Sequence, residues 1–397
     1  MSDPTLVTVI NADIMKTELG IEGDMMRSLQ ANVNLVIHAA SSINLLQSLP
    51  RISEVVVGAT ERVARMSLGF HNLDRFVYVS TAYANSHLWQ ESGHIDVKVD
   101  ERLYSLNETM HKGVVDRDIM TTTRAEWAQV HSRGSSTEYR MHDFPWPYAY
   151  AKHLSERVVH CMFCDQGAHD KLLIVRPSII GPAQHYPYPG FSLPMSTPCT
   201  VFMAAAALST SMRARISTRS SNPGNDTTID EVPVDVAADR LLLHTAKKTT
   251  GPVHAVSGAL ARSTVGMIWR NAMSFRRIPW QPRLIWTNSD WHSPDLHIVA
   301  RLYVILGTSY HFSDDKTHRL WEQCTELERR GLQIFNTRSE SNHDLTLRRH
   351  QIRQCMDKIS RRSVWAQLIV AIFYHSYALG DIQGFLHNFA SKYAYDD

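Results

Sequence analysis

No G-x-G-x-x-G or G-x-x-G-x-x-G turn occurs among the 18 glycines of this 397-residue chain. The nearest fragment, Gly20-Ile21-Glu22-Gly23, follows no strand-like run that would aim it at a phosphate. Cysteine is scarce: five residues, an odd count, argue against a disulfide framework and for a reducing compartment. Neither sign of charge dominates, and a net charge of +2 favours neither nucleic acid nor an acidic partner. The 21 histidines are scattered without an H-x-x-H or H-E-x-x-H cluster, so no metal centre is predicted. Long apolar runs are missing too. The most apolar late segment, residues 364–379, carries Gln367 and His375 and is shorter than the roughly 20 residues a span needs. It reads as a buried helix ahead of an interfacial one. Met1-Ser2-Asp3-Pro4 opens neither a basic nor an apolar leader, so no signal peptide is predicted.

What is present is ordinary for a soluble globular protein: 44% hydrophobic and 20% charged residues. The length suggests roughly two or three domain-sized units, or one large α/β domain with an appendage. Residues 6–10 are a short β-branched run and predict a strand. Residues 33–40 predict a second strand, ending in Ala39 and Ala40, where a backbone can approach a ligand closely. Helical spacing runs over residues 52–70, and residues 75–79 predict a third strand. Residues 84–143 are polar and irregular and read as a long insertion. A helix is predicted over 148–163 and a fourth strand over 171–176, stopped by Pro177. Further on come a small-residue helix (201–212), a helix over 236–245, a strand over 253–257 and a helix capped by Ser263. From about residue 290 the pattern is mainly helical and more basic, which sets a domain boundary near 285–292. Strands alternating with helices imply a parallel sheet, with Ala40, Thr81 and Pro177 on one edge, where ligands bind in open α/β folds.

Tyr148 and Lys152 stand four apart at the start of a helix, so the phenol and the ammonium share one face. A carbonyl that accepts hydride needs a proton on its oxygen. A tyrosine can donate it, and a neighbouring positive charge lowers the phenol's pKa from about 10. The same lysine can bond the ribose of a nicotinamide cofactor. A hydroxyl at the adjacent strand end, Ser80 or Thr81, can steady charge on the substrate oxygen. Tyr150 lies only two before Lys152 and would face elsewhere. Cys161-x-x-Cys164 lacks the second pair that a zinc site needs and reads as two small helix-face residues. Asp235 reads as an exposed charge at a helix N-terminus.

The chain resembles the fatty acyl-CoA reductases, a male-sterility type branch of the extended short-chain dehydrogenase/reductases. The resemblance rests on Asn34-Leu35-Val36-Ile37-His38-Ala39-Ala40-Ser41, Val79-Ser80-Thr81-Ala82-Tyr83-Ala84-Asn85 and Tyr148-x-x-x-Lys152 with Leu154-Ser155-Glu156. It continues through Arg176-Pro177-Ser178-Ile179-Ile180-Gly181-Pro182 and Val232-Pro233-Val234-Asp235, and more loosely through Tyr310-His311-Phe312 and Phe335-Asn336. It implies a Rossmann-like, doubly wound parallel sheet over residues 1–285, incomplete at its N-terminus, and a mainly helical domain over 290–397. It also implies reduction of long-chain acyl-CoA by NADPH, through an aldehyde, to a fatty alcohol. On that reading Tyr148 donates the proton, Lys152 holds the ribose, and Ser80 and Thr81 bond the carbonyl. Asp13 touches the adenine side, Ala39 and Ala40 pack on the cofactor, and Pro177, Ser178 and Ile179 border the nicotinamide. The implied location is intracellular, in the cytoplasm or peripherally on an organelle membrane such as the endoplasmic reticulum or peroxisome.

Two departures stand out. The family's glycine-rich loop and the basic residues after it have no counterpart, as in a truncated or degenerate member. The family's Asn-Val-x-Gly-Thr reads Val55-Val56-Val57-Gly58-Ala59, and Val55 cannot join a polar relay. A carrier-protein thioester reductase, a sugar-nucleotide enzyme and a non-catalytic lipid or partner binder are the alternative expectations.

Overall fold

The computed structural model describes residues 6–92, 96–106, 117–337, 342–361 and 367–369. They fall into two compact units. One comprises Met1–His87, Glu101–Arg176 and Leu243–Val253; the other comprises Leu88–Asp100, Pro177–Leu242 and His254–Asp397.

A four-stranded sheet has the strands β1 (Leu35–His38), β2 (Arg75–Val79), β3 (Leu172–Pro177) and β4 (Gly251–Ala255), in that spatial order, and all but the last residues of β3 and β4 belong to the first unit. β1 and β3 both run parallel to β2, so their C-terminal ends share one edge. The fold is α/β and Rossmann-like. Around the sheet lie helices α1 (Gly23–Asn32), α2 (Ala59–Leu68), α3 (Arg117–Arg133) and α4 (Pro147–Asp165). Phe76 and Tyr78 of β2 and Ile174 of β3 pack against Val63 of α2 and Val159 and Phe163 of α4. The rings of Phe76 and Phe163 lie 5.1 Å apart. Burying each such side chain contributes about 1.5–3 kcal/mol.

Three expectations need correction in this unit. Residues 7–10 form no strand; Leu6, Val7 and Val9 are exposed, and β1 is the sheet's edge among the described residues. β-branched residues favour a pleated surface only where a neighbouring strand supplies one. The helix over 52–70 starts earlier, at Leu49–Ser53, and passes through a π-turn, Glu54–Gly58, before α2. The insertion over 84–143 is not irregular throughout. It contains the 17-residue helix α3, although residues 93–95 and 107–116 lie outside the described set.

α3 is tied down by buried polar groups. Arg157 of α4 donates to both carboxylate oxygens of Glu126, at 2.6 and 2.9 Å, and the two side chains are 2% and 1% exposed. Tyr150 donates to the same carboxylate at 2.6 Å and lies 2.6 Å from the Ser136 hydroxyl. A polar face that looks solvated in the sequence is therefore partly interior.

In the second unit, short strands pair in parallel: Ile179–Gly181 with Glu231–Pro233, Arg213–Ser217 with Arg283–Thr287, and Val97–Val99 with Tyr310–Phe312. Arg213–Ser217 went unread in the sequence, and the helix before it spans Pro198–Leu208, ending before Met212. Thr264, not Ser263, caps the next helix, accepting from the Met267 amide at 3.2 Å. Arg240 is buried and holds the 334–335 segment, with Nε donating to the Ile334 carbonyl at 2.7 Å and Nη2 paired to Asp314 at 3.0 Å. Asn336 donates to the Ser257 hydroxyl at 2.8 Å. Gly307 approaches the Ser217 carbonyl so closely that a Cβ there would overlap it. No helix among the described residues is long and apolar enough to cross a membrane. The apolar segment 364–379 lies outside the described residues except at 367–369.

Candidate active site

β2 ends by handing its ladder on: the Ser80 amide donates to the Val175 carbonyl of β3 at 2.7 Å. This fixes Ser80 and Thr81 at the C-terminal edge of the sheet. The Ser80 hydroxyl is buried and has no hydrogen-bond partner among the described residues. A buried hydroxyl left unmatched carries a desolvation cost that a ligand oxygen would relieve. Thr81 is differently employed, its hydroxyl capping a short helical turn by accepting from the Tyr83 amide at 3.3 Å.

α4 begins at Pro147, whose fixed φ suits a first helical position. Tyr148 follows, partly buried, and Lys152 lies one turn on, 2% exposed. Lys152 Nζ donates to the Val79 carbonyl at 3.0 Å and sits 4.9 Å from the Tyr78 ring centroid. Burial lowers its pKa to about 7, against the pull of Glu156. Burial also raises the Tyr148 phenol above its ordinary value. The expected depression of the phenol by Lys152 is therefore overridden: desolvation disfavours charge on both groups. The consequence is a phenol that is fully protonated at neutral pH, the form a proton donor requires.

The surroundings include residues to which the sequence reading gave no role. His38, at the end of β1, stacks on Tyr78 with centroids 5.7 Å apart, and its Nε2 lies 3.0 Å from the Thr60 hydroxyl of α2. Burial first, and then the charge of Lys152, lower its pKa to about 4, so the imidazole is neutral. Glu156 and Arg176 form a bidentate pair at 2.9 and 2.6 Å, both essentially inaccessible. A histidine inside the apolar run Leu35-Val36-Ile37-His38 was the available signal for the first, and an arginine directly before Pro177 for the second.

The remaining candidates divide. Ala39 and Ala40 are exposed at the end of β1, on the same sheet edge as Ser80. Asp13 is exposed and caps its own turn, accepting from the Met15 amide at 2.9 Å. Pro177, Ser178 and Ile179 belong to the second unit, where the Ser178 hydroxyl donates to buried Asp230 at 2.5 Å. Asp235 corrects the expectation of an exposed charge. It is 8% exposed and accepts from the amides of Gln184, His185 and Tyr186 at 2.8, 2.6 and 3.0 Å. Burial opposes its ionisation, and the three amides outweigh burial and hold its pKa below the usual range. Cys161 and Cys164 are free thiols, and burial pushes that of Cys161 up to about 11.

The ribose and nicotinamide end of a dinucleotide fits this edge: small exposed residues at β1, an unmatched hydroxyl at β2 and a buried ammonium on α4. The pyrophosphate end has no comparable cradle among the described residues. The Gly20–Gly23 fragment leads into α1, but Glu22 occupies the N-cap position without a side-chain capping bond and Asp24 sits in the first turn, so a phosphate there would meet two carboxylates.

This is the edge at which open α/β folds take a nucleotide. The chain belongs to the male sterility protein family, whose profile matches residues 3–241. Fatty acyl-CoA reductase 2 of Bos taurus is 24% identical over 292 residues, 72% of this chain and 51% of that protein. Fatty acyl-CoA reductase 1 of Xenopus laevis is 27% identical over 237 residues, 59% of this chain and 40% of that protein. The chain thus spans about half the length, or less, of these relatives. Among solved structures, the terminal R domain from the myxalamid PKS-NRPS biosynthetic pathway has a TM-score of 0.51 at 13% identity, covering 89% of this chain and 74% of that one. At that identity the likeness bears on fold alone.

Proposed function

We propose that the chain is a reductase that uses NADPH to convert long-chain fatty acyl-CoA, through the aldehyde, to a fatty alcohol. The observation that carries this reading is the buried Lys152 beside the unmatched Ser80 hydroxyl, with the protonated Tyr148 one helical turn away. When bound, the cofactor supplies hydride to the substrate carbonyl carbon. Lys152 would hold the ribose hydroxyls, and the exposed Ala39 and Ala40 would pack on the cofactor. Ser80, with Thr81 beside it, donates to the carbonyl oxygen as negative charge gathers there. In the first round the tetrahedral adduct expels CoA as its thiolate, which takes a proton from solvent, and leaves the aldehyde. In the second, Tyr148 passes its proton to the alkoxide oxygen and yields the alcohol. Pro177, Ser178 and Ile179 would border the nicotinamide, and Asp13 would touch the adenine side. Residues 1–285 form the reductase domain and 290–397 a helical C-terminal domain. An acyl substrate draws such an enzyme to a membrane surface.

A non-catalytic lipid or partner binder is the second reading, supported by the two carboxylates at the start of α1 and by Val55. The test is product analysis: the chain is incubated with NADPH and palmitoyl-CoA, and lipids are extracted. Fatty alcohol formed by the wild type and not by Tyr148→Phe supports the reductase. No aldehyde or alcohol from either supports the binder.

A further inference from the structure

Two neighbouring residues of α4 grip the two ends of the segment that carries Ser80 and Thr81. Lys152 Nζ donates to the Val79 carbonyl at 3.0 Å, just before the segment. His153 Nδ1 lies 2.9 Å from Asn85 Oδ1, at its far end. Consecutive helical side chains point about 100° apart, so one reaches the strand end and the other the turn beyond it. Asn85 closes the short turn Ala82–Asn85, which Thr81 caps. The segment is thus tied to the helix on both sides of the unmatched Ser80 hydroxyl.

The bond at the far end is fully interior: Asn85 and His153 are each 1% exposed. Asn85 Oδ1 can only accept, so His153 Nδ1 donates and its Nε2 is left as an acceptor. That Nε2 has no partner among the described residues, and neither has Asn85 Nδ2. The rings of His87 and Phe144 hold the imidazole, with centroids 5.2 and 5.7 Å away. A buried pair that leaves two polar atoms unmatched adds little to stability, and an apolar pair of the same shape would serve packing as well. What the polar pair supplies is register between the turn and the helix.

We propose that Asn85 and His153 are positioning residues, whose bond sets the Ser80 hydroxyl at the end of β2 against the Tyr148 phenol on α4. This role rests on the reductase reading, in which one carbonyl oxygen must meet both groups. Neither residue touches that oxygen. Each acts through the segment it holds.

Deuterium exchange reports the turn directly, at the Ala84 and Ser86 amides, which donate to the Thr81 and Tyr83 carbonyls at 3.1 Å each. His153→Leu should speed that exchange about tenfold. With palmitoyl-CoA and NADPH it should lower kcat about 10²-fold, leaving KM for NADPH within about twofold. His153→Asn, whose amide nitrogen can stand where Nδ1 does, should largely restore both. The Asn85→Leu/His153→Leu double variant should melt near the wild type yet turn over as slowly as His153→Leu. Unchanged exchange in His153→Leu, or no recovery in His153→Asn, overturns the proposal. So does a double variant that recovers melting and turnover together, the result of a purely structural role. No product from the wild type removes the reductase reading instead. Faster exchange in His153→Leu would then still uphold the tether, and unchanged exchange would sink it.

Discussion

Lys152 is held in a position that costs stability. Its pKa is about 7 in the folded chain against 10.5 ordinarily, so between those values the unfolded chain binds a proton that the native chain does not. Stability from this group therefore rises as pH climbs from 7 toward 10.5, and the full penalty is present below 7. Lys152→Met should raise the melting temperature at pH 7, stabilising the fold by about 1–3 kcal/mol, while lowering turnover and cofactor affinity. A melting temperature that falls instead would show that the bond to the Val79 carbonyl outweighs desolvation. Tyr148→Phe should leave melting unchanged and lower turnover by about 10²–10⁴-fold. Undiminished turnover in that variant would remove its role as proton donor. The tyrosine and lysine were legible in the sequence because helical spacing alone places them on one face. His38, Thr60 and the Glu156–Arg176 pair were not, because their partners lie far away along the chain and only the fold brings them together.

At the level of elements, strands β2 and β3 and helix α4 were legible because each is a dense apolar pattern flanked by turn signals. The strand expected at residues 6–10 failed because local β propensity cannot tell whether a neighbouring strand is present to pair with it. α3 was missed for the opposite reason: its polar residues looked solvated, whereas Glu126 is buried on Arg157. That dependence can be measured. Glu126→Ala leaves a buried guanidinium without its carboxylate and should destabilise the first unit by about 3–5 kcal/mol. Replacing both, Glu126→Met with Arg157→Met, should cost much less, since buried ion pairs are often matched by apolar packing. Chemical denaturation of the two variants distinguishes these outcomes. In the second unit, Gly307→Ala should lower stability strongly, because its Cβ would overlap the backbone of Ser217 rather than a yielding side chain.

For the whole molecule, acid should be the weak side. His38, His87 and His153 are buried, and burial is the largest cause lowering each pKa: to about 4 for His38, and well below the ordinary value for the other two. His87 and His153 pack with ring centroids 5.2 Å apart, facing His142, and Arg157 disfavours charge on both. The unfolded chain takes up protons near pH 6.5 that the native chain refuses, so stability is present above 6.5 and is lost as pH falls from there toward 4. His38 alone should account for about 3 kcal/mol of that loss. Melting temperature measured from pH 7.5 to 4.5 should fall steeply below 6.5, and a flat profile would contradict neutral burial. The central claim is that this edge of the sheet holds a nicotinamide cofactor through Lys152. Calorimetric titration of NADPH, with NADH alongside, into the wild type and Lys152→Ala tests it most directly. Micromolar binding by the wild type that weakens at least tenfold in the variant is the predicted result. No binding to the wild type, or equal binding by both proteins, would contradict it.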